Sequence, residues 1–270
     1  TQIATSSDDI KVITETLNKD LNNVAIWLSA NKLTLNKSKT EYMVIGSKKR
    51  LSQVAIDPEI SVGDFEIKRV VKTKSLGLMI DESLDWSAQV AFISRKVSSG
   101  LAILRRLRDV VEFNTLMIIY QSIVQPYFEY CAQVWGCLGK ILAEKVQKLQ
   151  NRAFRIITRE NYSTRSADIL HKLGIPNLEK RRMQQLSTLM YKVKNRLVPD
   201  YLCDVFTNVN DMHDHNTRQS GTDLVLPKPK TNSMKNAFSY RGAEVWNSLP
   251  SSLKSATSLS NFKFKLMHPN

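Results

Sequence analysis

Cations at helical spacing are the residues of this chain best placed to do chemistry, and that chemistry is the capture of phosphate. Between Lys140 and Thr158 the apolar residues Leu142, Val146, Leu149, Ala153 and Ile156 recur at steps of three and four, which puts them on one side of a helix. Lys145, Lys148, Arg152, Arg155 and Arg159 recur at the same steps on another side. Like charges at these steps repel by about a few tenths of a kcal/mol per pair, and a polyanion laid along the row relieves the repulsion. The competing reading is an ordinary solvated face, which basic helices also supply. A second helix, expected over residues 87–108, repeats the logic. Val90, Ile93, Val97, Leu101 and Leu104 form its apolar stripe, Arg95 and Arg106 project from the opposite side, and Lys96, Arg105 and Arg108 flank the stripe.

Other reactive side chains are less well arranged. Asp8 and Asp9 are adjacent carboxylates of the type that hold divalent ions, but Ser6-Ser7-Asp8-Asp9 runs straight into a helical pattern of Ile10, Ile13, Leu17, Leu21, Val24 and Leu28. Carboxylates there are expected to cap the first amides of the helix and offset its positive end. Cys203, His213 and His215 match no paired-ligand spacing and have no evident fourth ligand, so no metal site is expected. Three cysteines, Cys131, Cys137 and Cys203, do not make a disulfide scaffold and fit a reducing compartment.

Lys39 closes the run Asn31-Lys32-Leu33-Thr34-Leu35-Asn36-Lys37-Ser38-Lys39-Thr40, between the first helix and a short apolar strand expected at 42–45. A lysine so placed is most often a solvated charge near a sheet edge. The elements that position it are Ile60 to Val62, a Gly63-Asp64 turn, Phe65 to Ile67, Lys74-Ser75-Leu76-Gly77-Leu78-Met79-Ile80-Asp81, then Leu84-Asp85-Trp86. Hairpin then helix is the simplest reading. Further on, residues 116–135 are apolar but interrupted by Gln121, Ser122, Gln125, Pro126 and Glu129, as in a buried helix bent or broken near the proline. Residues 166–195 read as two helices separated at Gly174-Ile175-Pro176. The segment 211–236 is polar, carries Pro227 and Pro229, and is expected to be an extended or mobile connection. In the tail, Phe238, Tyr240, Trp246, Leu249, Pro250, Leu253 and Phe262 alternate with apolar neighbours, which favours packing over base stacking.

The fold class implied is α+β, mostly α: a small antiparallel sheet with one packed helix, then a helical region and a helical or irregular C-terminal extension. Across 270 residues, Lys plus Arg outnumber Asp plus Glu by 39 to 25, a net charge of +14. That excess favours a polyanionic partner, nucleic acid ahead of membrane. No run of about 18 uninterrupted apolar residues marks a membrane span, and an intracellular place, nucleus or cytoplasm, is expected.

Four segments, in order, resemble the reverse transcriptases of non-LTR, LINE-like retrotransposons. Asn36-x-x-Lys39-Thr40 is similar to polymerase motif D, and Leu76-Gly77-Leu78-Met79-Ile80-Asp81 to the primer-gripping hairpin of the palm, with Leu76, Gly77 and Leu78 at the grip. Tyr130-Cys131-x-x-Val134-Trp135-Gly136 resembles the thumb, and Trp246-Asn247-x-Leu249-Pro250 a late signature of similar elements. The resemblance implies that residues 1–86 are the C-terminal part of a palm, 87–160 a helical thumb, 161–210 a helical connection and 211–270 a linker and small tail. The parent activity it implies is RNA-directed DNA polymerisation with magnesium. Lys39 would be the general acid toward departing pyrophosphate, with Lys37 its nearest rival. The implied partners are RNA and an RNA–DNA template-primer duplex, gripped through Arg95, Arg106, Lys145, Lys148, Arg152, Arg155 and Arg159.

The family's metal-binding carboxylates, one on an early palm strand and a pair in an aromatic-x-Asp-Asp turn, have no recognisable counterpart here. Thr1-Gln2-Ile3-Ala4-Thr5 resembles the segment immediately C-terminal to that turn. The expectation is therefore a polymerase fragment, inactive alone and with no cofactor of its own. Two alternatives stand beside it: a domesticated, non-catalytic nucleic-acid-binding module, and a helical scaffold whose basic row binds an acidic protein.

Overall fold

The computed structural model describes residues 1–54, 57–211 and 222–268. The chain divides into two compact units, Thr1–Gln89 and Val90–Asn270.

In the first unit, α1 (Ile10–Ala30) begins where the Asp9 carboxylate accepts a bond from Lys11 N at 2.9 Å. Asp8 instead pairs with Arg50 at 2.8 Å, so one carboxylate of the adjacent pair caps and the other reaches a distant cation. The apolar face of α1 is half-buried along its length, and no residue of the helix is fully buried. Asn18 ties it to the strands: its side chain donates to Glu59 O and accepts from Ser61 N, both at 3.0 Å.

The strands are β1 (Glu41–Tyr42), β2 (Ser61–Val62), β3 (Phe65–Glu66), β4 (Lys68–Arg69), β5 (Lys72–Ser75) and β6 (Leu78–Asp81), with the short α2 (Lys48–Leu51) after β1. They form three two-stranded ladders: β2–β3 and β5–β6 antiparallel, β1–β4 parallel. The α+β, mostly helical class holds, whereas the sheet differs in detail from a single antiparallel one. The strand expected at 42–45 pairs only through Glu41 and Tyr42. Its partner β4 ends at Arg69 and the chain turns into β5, leaving Met43 to Ile45 without a ladder to join. Among the described residues of this unit, Ile60, Ile67, Leu78 and Trp86 are buried hydrophobic side chains.

α3 (Ser87–Leu107) starts in the first unit and runs into the second. Its expected stripe, Val90, Ile93, Val97, Leu101 and Leu104, is buried. At Gly100 a Cβ would lie 2.7 Å from Val124 Cγ2, so only glycine permits this approach to the end of α4 (Phe113–Ile123). The apolar stretch 116–135 is broken, as its proline predicted. α4 stops before Pro126, which sits in the first turn of α5 (Gln125–Glu129), where its missing N–H costs nothing. A second break at Cys131, with φ +50°, starts α6 (Ala132–Trp135). Buried Trp135 closes this corner by donating from Nε1 to Tyr130 O at 2.7 Å.

Next come α7 (Lys140–Thr158), α8 (Ser166–Lys172), α9 (Leu178–Lys194) and α10 (Asp200–Cys203). The break between α8 and α9 falls at 173–177, as the Gly174-Ile175-Pro176 signal requires. The tail holds α11 (Asn232–Asn236), α12 (Phe238–Ser248), α13 (Ser251–Lys254) and α14 (Leu259–Met267). α12 and α14 fold back on α9, and Leu186, Met190, Tyr191, Ala243, Trp246 and Phe262 form their shared core. Trp246 and Phe262 are thus packing residues. Gly242 brings α12 close: a Cβ there would lie 2.7 Å from Met190 Sδ and 2.8 Å from Phe206 Cζ.

Within the segment expected to be extended, residues 212–221 lie outside the described residues. Leu224 beyond them is buried, its N–H donating to Asn247 Oδ1 at 2.9 Å and its carbonyl accepting from Asn247 Nδ2 at 2.8 Å. Trp246 Nε1 donates to Thr222 O at 2.9 Å. The Trp246-Asn247 pair is therefore a clasp on residues 222–224. Among the described residues no helix is long and apolar enough to cross a membrane.

Candidate nucleic-acid interface

α7 has the bounds that its periodicity predicts, and its buried arc is Val146, Leu149, Gln150, Ala153, Phe154, Ile156 and Ile157. Two glutamines on this side organise the turn into α9. Gln147 accepts from Leu178 N at 2.9 Å and donates to Gln150, whose own amide donates to Pro176 O at 3.3 Å. With that side fixed, Lys145, Lys148 and Arg152 are exposed, and among the described residues none of them enters an ion pair. They span about 10 Å of helix axis at the usual rise per residue. Glu144 is the acidic residue of the same exposed arc.

The last two cations of the row are placed differently. Arg155 is half-buried; its Nη2 donates to Thr164 O at 3.1 Å, and its guanidinium lies 5.1 Å from the centroid of the Tyr162 ring. Arg159 ends the helix with φ +58°, and its guanidinium donates to Arg108 O at 3.0 Å and to Val111 O at 3.3 Å. The structure thus keeps Lys145, Lys148 and Arg152 together as free cations and gives Arg155 and Arg159 intramolecular work.

On α3, Arg95 and Arg106 are exposed and enter no ion pair among the described residues. Their separation of about three helical turns puts them on one side, with exposed Lys96 and Arg105 flanking them to left and right. Arg105 and Arg106 also lie in the last turn, where the helix dipole favours positive charge on its own account.

In the first unit, Lys39 ends a single 3-10 turn, Lys37–Lys39, capped by Asn36, whose Oδ1 accepts from Lys39 N at 3.2 Å. The two candidate lysines separate here. Lys37 holds its ammonium 5.3 Å from the centroid of the Phe65 ring, whereas the ammonium of exposed Lys39 enters no ion pair among the described residues.

The β5–β6 hairpin turns through Leu76 at φ +46° and Gly77 at φ +86°, the signs of the two-residue turn that matches strand twist. Leu76 is 86% exposed at the tip, and Leu78 is buried. Gly77 supplies the turn, so of the three residues expected at the grip Leu76 is the one that presents a side chain outward. Asp81 at the end of this hairpin is a structural carboxylate, accepting from Asp85 N at 3.0 Å, Trp86 N at 3.1 Å and Ser83 Oγ at 3.0 Å. Asp85 in turn accepts from Ser87 N at 2.9 Å and pairs with Lys48 at 3.0 Å. The backbone bond from Ser87, then its hydroxyl and Lys48, lower the Asp85 carboxyl from 3.8 to about 2.

Cys203 is buried with its thiol toward Val193 O, and His213 and His215 lie outside the described residues. No group of three or more His, Cys, Asp or Glu side chains among the described residues could hold a metal ion.

Three curated relatives, all from Drosophila melanogaster, match the chain. A probable RNA-directed DNA polymerase from transposon BS is 25% identical over 207 residues, covering 72% of this chain and 22% of the relative. The RNA-directed DNA polymerase from mobile element jockey is 24% identical over 181 residues, 66% of this chain and 19% of the relative. A probable RNA-directed DNA polymerase from transposon X-element is 23% identical over 152 residues, 55% of this chain and 16% of the relative. No protein-family model and no solved structure matches. The chain is similar to part of the RNA-directed DNA polymerases of non-LTR retrotransposons, and spans about a fifth of the length of these relatives.

Proposed function

We propose that this chain is the portion of a retrotransposon RNA-directed DNA polymerase that grips the RNA–DNA template-primer duplex, and that alone it does not add nucleotides. The observation that carries this reading is the row Lys145, Lys148 and Arg152: exposed, free of ion pairs among the described residues, and fixed from behind by a buried apolar arc. A cation row with one acidic neighbour, Glu144, and no ion pair to it keeps a net attraction for phosphate, and the net charge of +14 adds long-range steering. Contacts of this type go to the backbone, so binding should be tolerant of sequence and steep in salt. Arg95 and Arg106 on α3 extend the same role. In the intact polymerase Lys39, rather than Lys37, donates to departing pyrophosphate, because Lys37 is already engaged with Phe65. Such work belongs inside the cell, in nucleus or cytoplasm.

The test is binding of a labelled RNA–DNA duplex by the 270-residue chain at several salt concentrations. Charge reversal of Lys145, Lys148 and Arg152 together should abolish binding near physiological salt, and neutralising each should lower the salt slope by about one unit. Unchanged affinity and slope would overturn the reading and favour an acidic protein partner. A domesticated binding module would bind the duplex equally well but support no extension once the rest of a polymerase is supplied.

A further inference from the structure

We propose that Tyr162 is a stacking platform for an unpaired nucleobase, placed where a duplex lying along α7 gives way to single strand. The proposal rests on the duplex-binding reading above. Tyr162 is 89% exposed, so it contributes little to the core. Yet its ring is held. It occupies the second position of a four-residue turn closed by Thr164 N donating to Asn161 O at 3.1 Å. Thr164 Oγ1 donates to Glu160 Oε2 at 3.1 Å, and Thr164 O accepts from Arg155. The same Arg155 guanidinium covers the Tyr162 ring. One cation therefore fixes both the loop and the ring that the loop presents.

Position gives this ring its ligand. Arg155 follows Arg152 by three residues, so the ring stands at the C-terminal end of the row Lys145, Lys148 and Arg152. Phosphates drawn to that row carry bases with them. A base inside a duplex is already stacked on both faces and paired at its edge, whereas an unpaired base beside the duplex can turn out and offer a face to a ring at the side. An aromatic held in place before binding loses little freedom on stacking, and the π-face of any base will serve, which makes the contact tolerant of sequence. The ligand class is an unpaired nucleotide adjoining duplex.

The experiment uses the full chain and three labelled RNA–DNA duplexes: blunt, with a short single-stranded RNA extension, and with the same extension made abasic. The extension should raise affinity by about tenfold over blunt duplex, in keeping with one base on one aromatic. That advantage should vanish with the abasic extension and in Tyr162→Ala, and return in Tyr162→Phe and Tyr162→Trp. Blunt-duplex affinity should be the same in all variants. The proposal is overturned if Tyr162→Ala keeps the advantage, if it weakens blunt and extended probes equally, or if the abasic extension binds as well. A chain that binds none of the probes removes the duplex reading and this proposal with it. Blunt-duplex binding without preference for the extension removes this proposal alone.

Discussion

α1 and α9 are both long amphipathic helices, yet α1 has no fully buried residue while α9 buries Leu178, Leu186, Ser187, Met190, Tyr191 and Val193. The difference lies in what each helix has to pack on. α9 is covered by α12 and α14, which bring Trp246, Ala243 and Phe262 onto its apolar side. α1 packs on β2, whose two-residue ladder with β3 covers its stripe only in part. Apolar periodicity states that a face wants cover; it is silent on how much cover the fold supplies.

That contrast breaks most easily at single side chains. Phe262→Ala, at a site with 0% exposure, should lower the unfolding free energy of the second unit by about 3–5 kcal/mol, the range for deleting a buried aromatic. Leu17→Ala on half-buried α1 should fall clearly below the roughly 2–5 kcal/mol of a core leucine. Denaturant titration of the two variants decides it: equal losses would mean that α1 is as firmly seated as α9. Next in size, Gly242→Ala should destabilise by about 1–3 kcal/mol, because its Cβ would crowd Met190 and the Phe206 ring. No loss there would show that α12 can slide on α9.

The smallest effect is on pH. The Asp85 carboxyl is lowered to about 2 from 3.8, so its stabilising bonds are complete above 3.8 and are lost as pH falls toward 2. An NMR titration should place its midpoint near 2, and Ser87→Ala, which removes the hydroxyl but not the amide, should raise it only in part. A midpoint near 3.8 in the unsubstituted chain would mean that the start of α3 is not held by Asp85.

Much of this architecture is legible in the order of residue types. α7 emerges with the bounds that its stripe predicts, since a buried arc and flanking Gly139 leave little latitude. Asp9 as a cap, the break before Pro126 and the separation at Gly174 obey rules that act within a few residues. The exposed cation row is only partly legible. Spacing groups Arg155 and Arg159 with Lys145, Lys148 and Arg152, but the carbonyls of Thr164, Arg108 and Val111 that engage them are tertiary partners without a signature. Tyr162 escapes for the opposite reason: in Asn161-Tyr162-Ser163-Thr164 it is one aromatic in a polar turn, and only the guanidinium beside it distinguishes it. The strand at 42–45 fails because apolar character cannot reveal that its partner stops short.

The clasp made by Asn247 has a consequence for the solubility of the tail. Residues 223–225 run antiparallel to 207–209, with Val209 N donating to Asp223 O at 3.0 Å and Val225 N to Thr207 O at 2.9 Å. That pairing occupies one edge of the extended backbone. The other edge would be a template on which a second molecule could add a strand, but Asn247 fills both the donor and the acceptor of Leu224 with one carboxamide. A side chain here takes the place of a neighbouring strand, and the edge is closed against self-association.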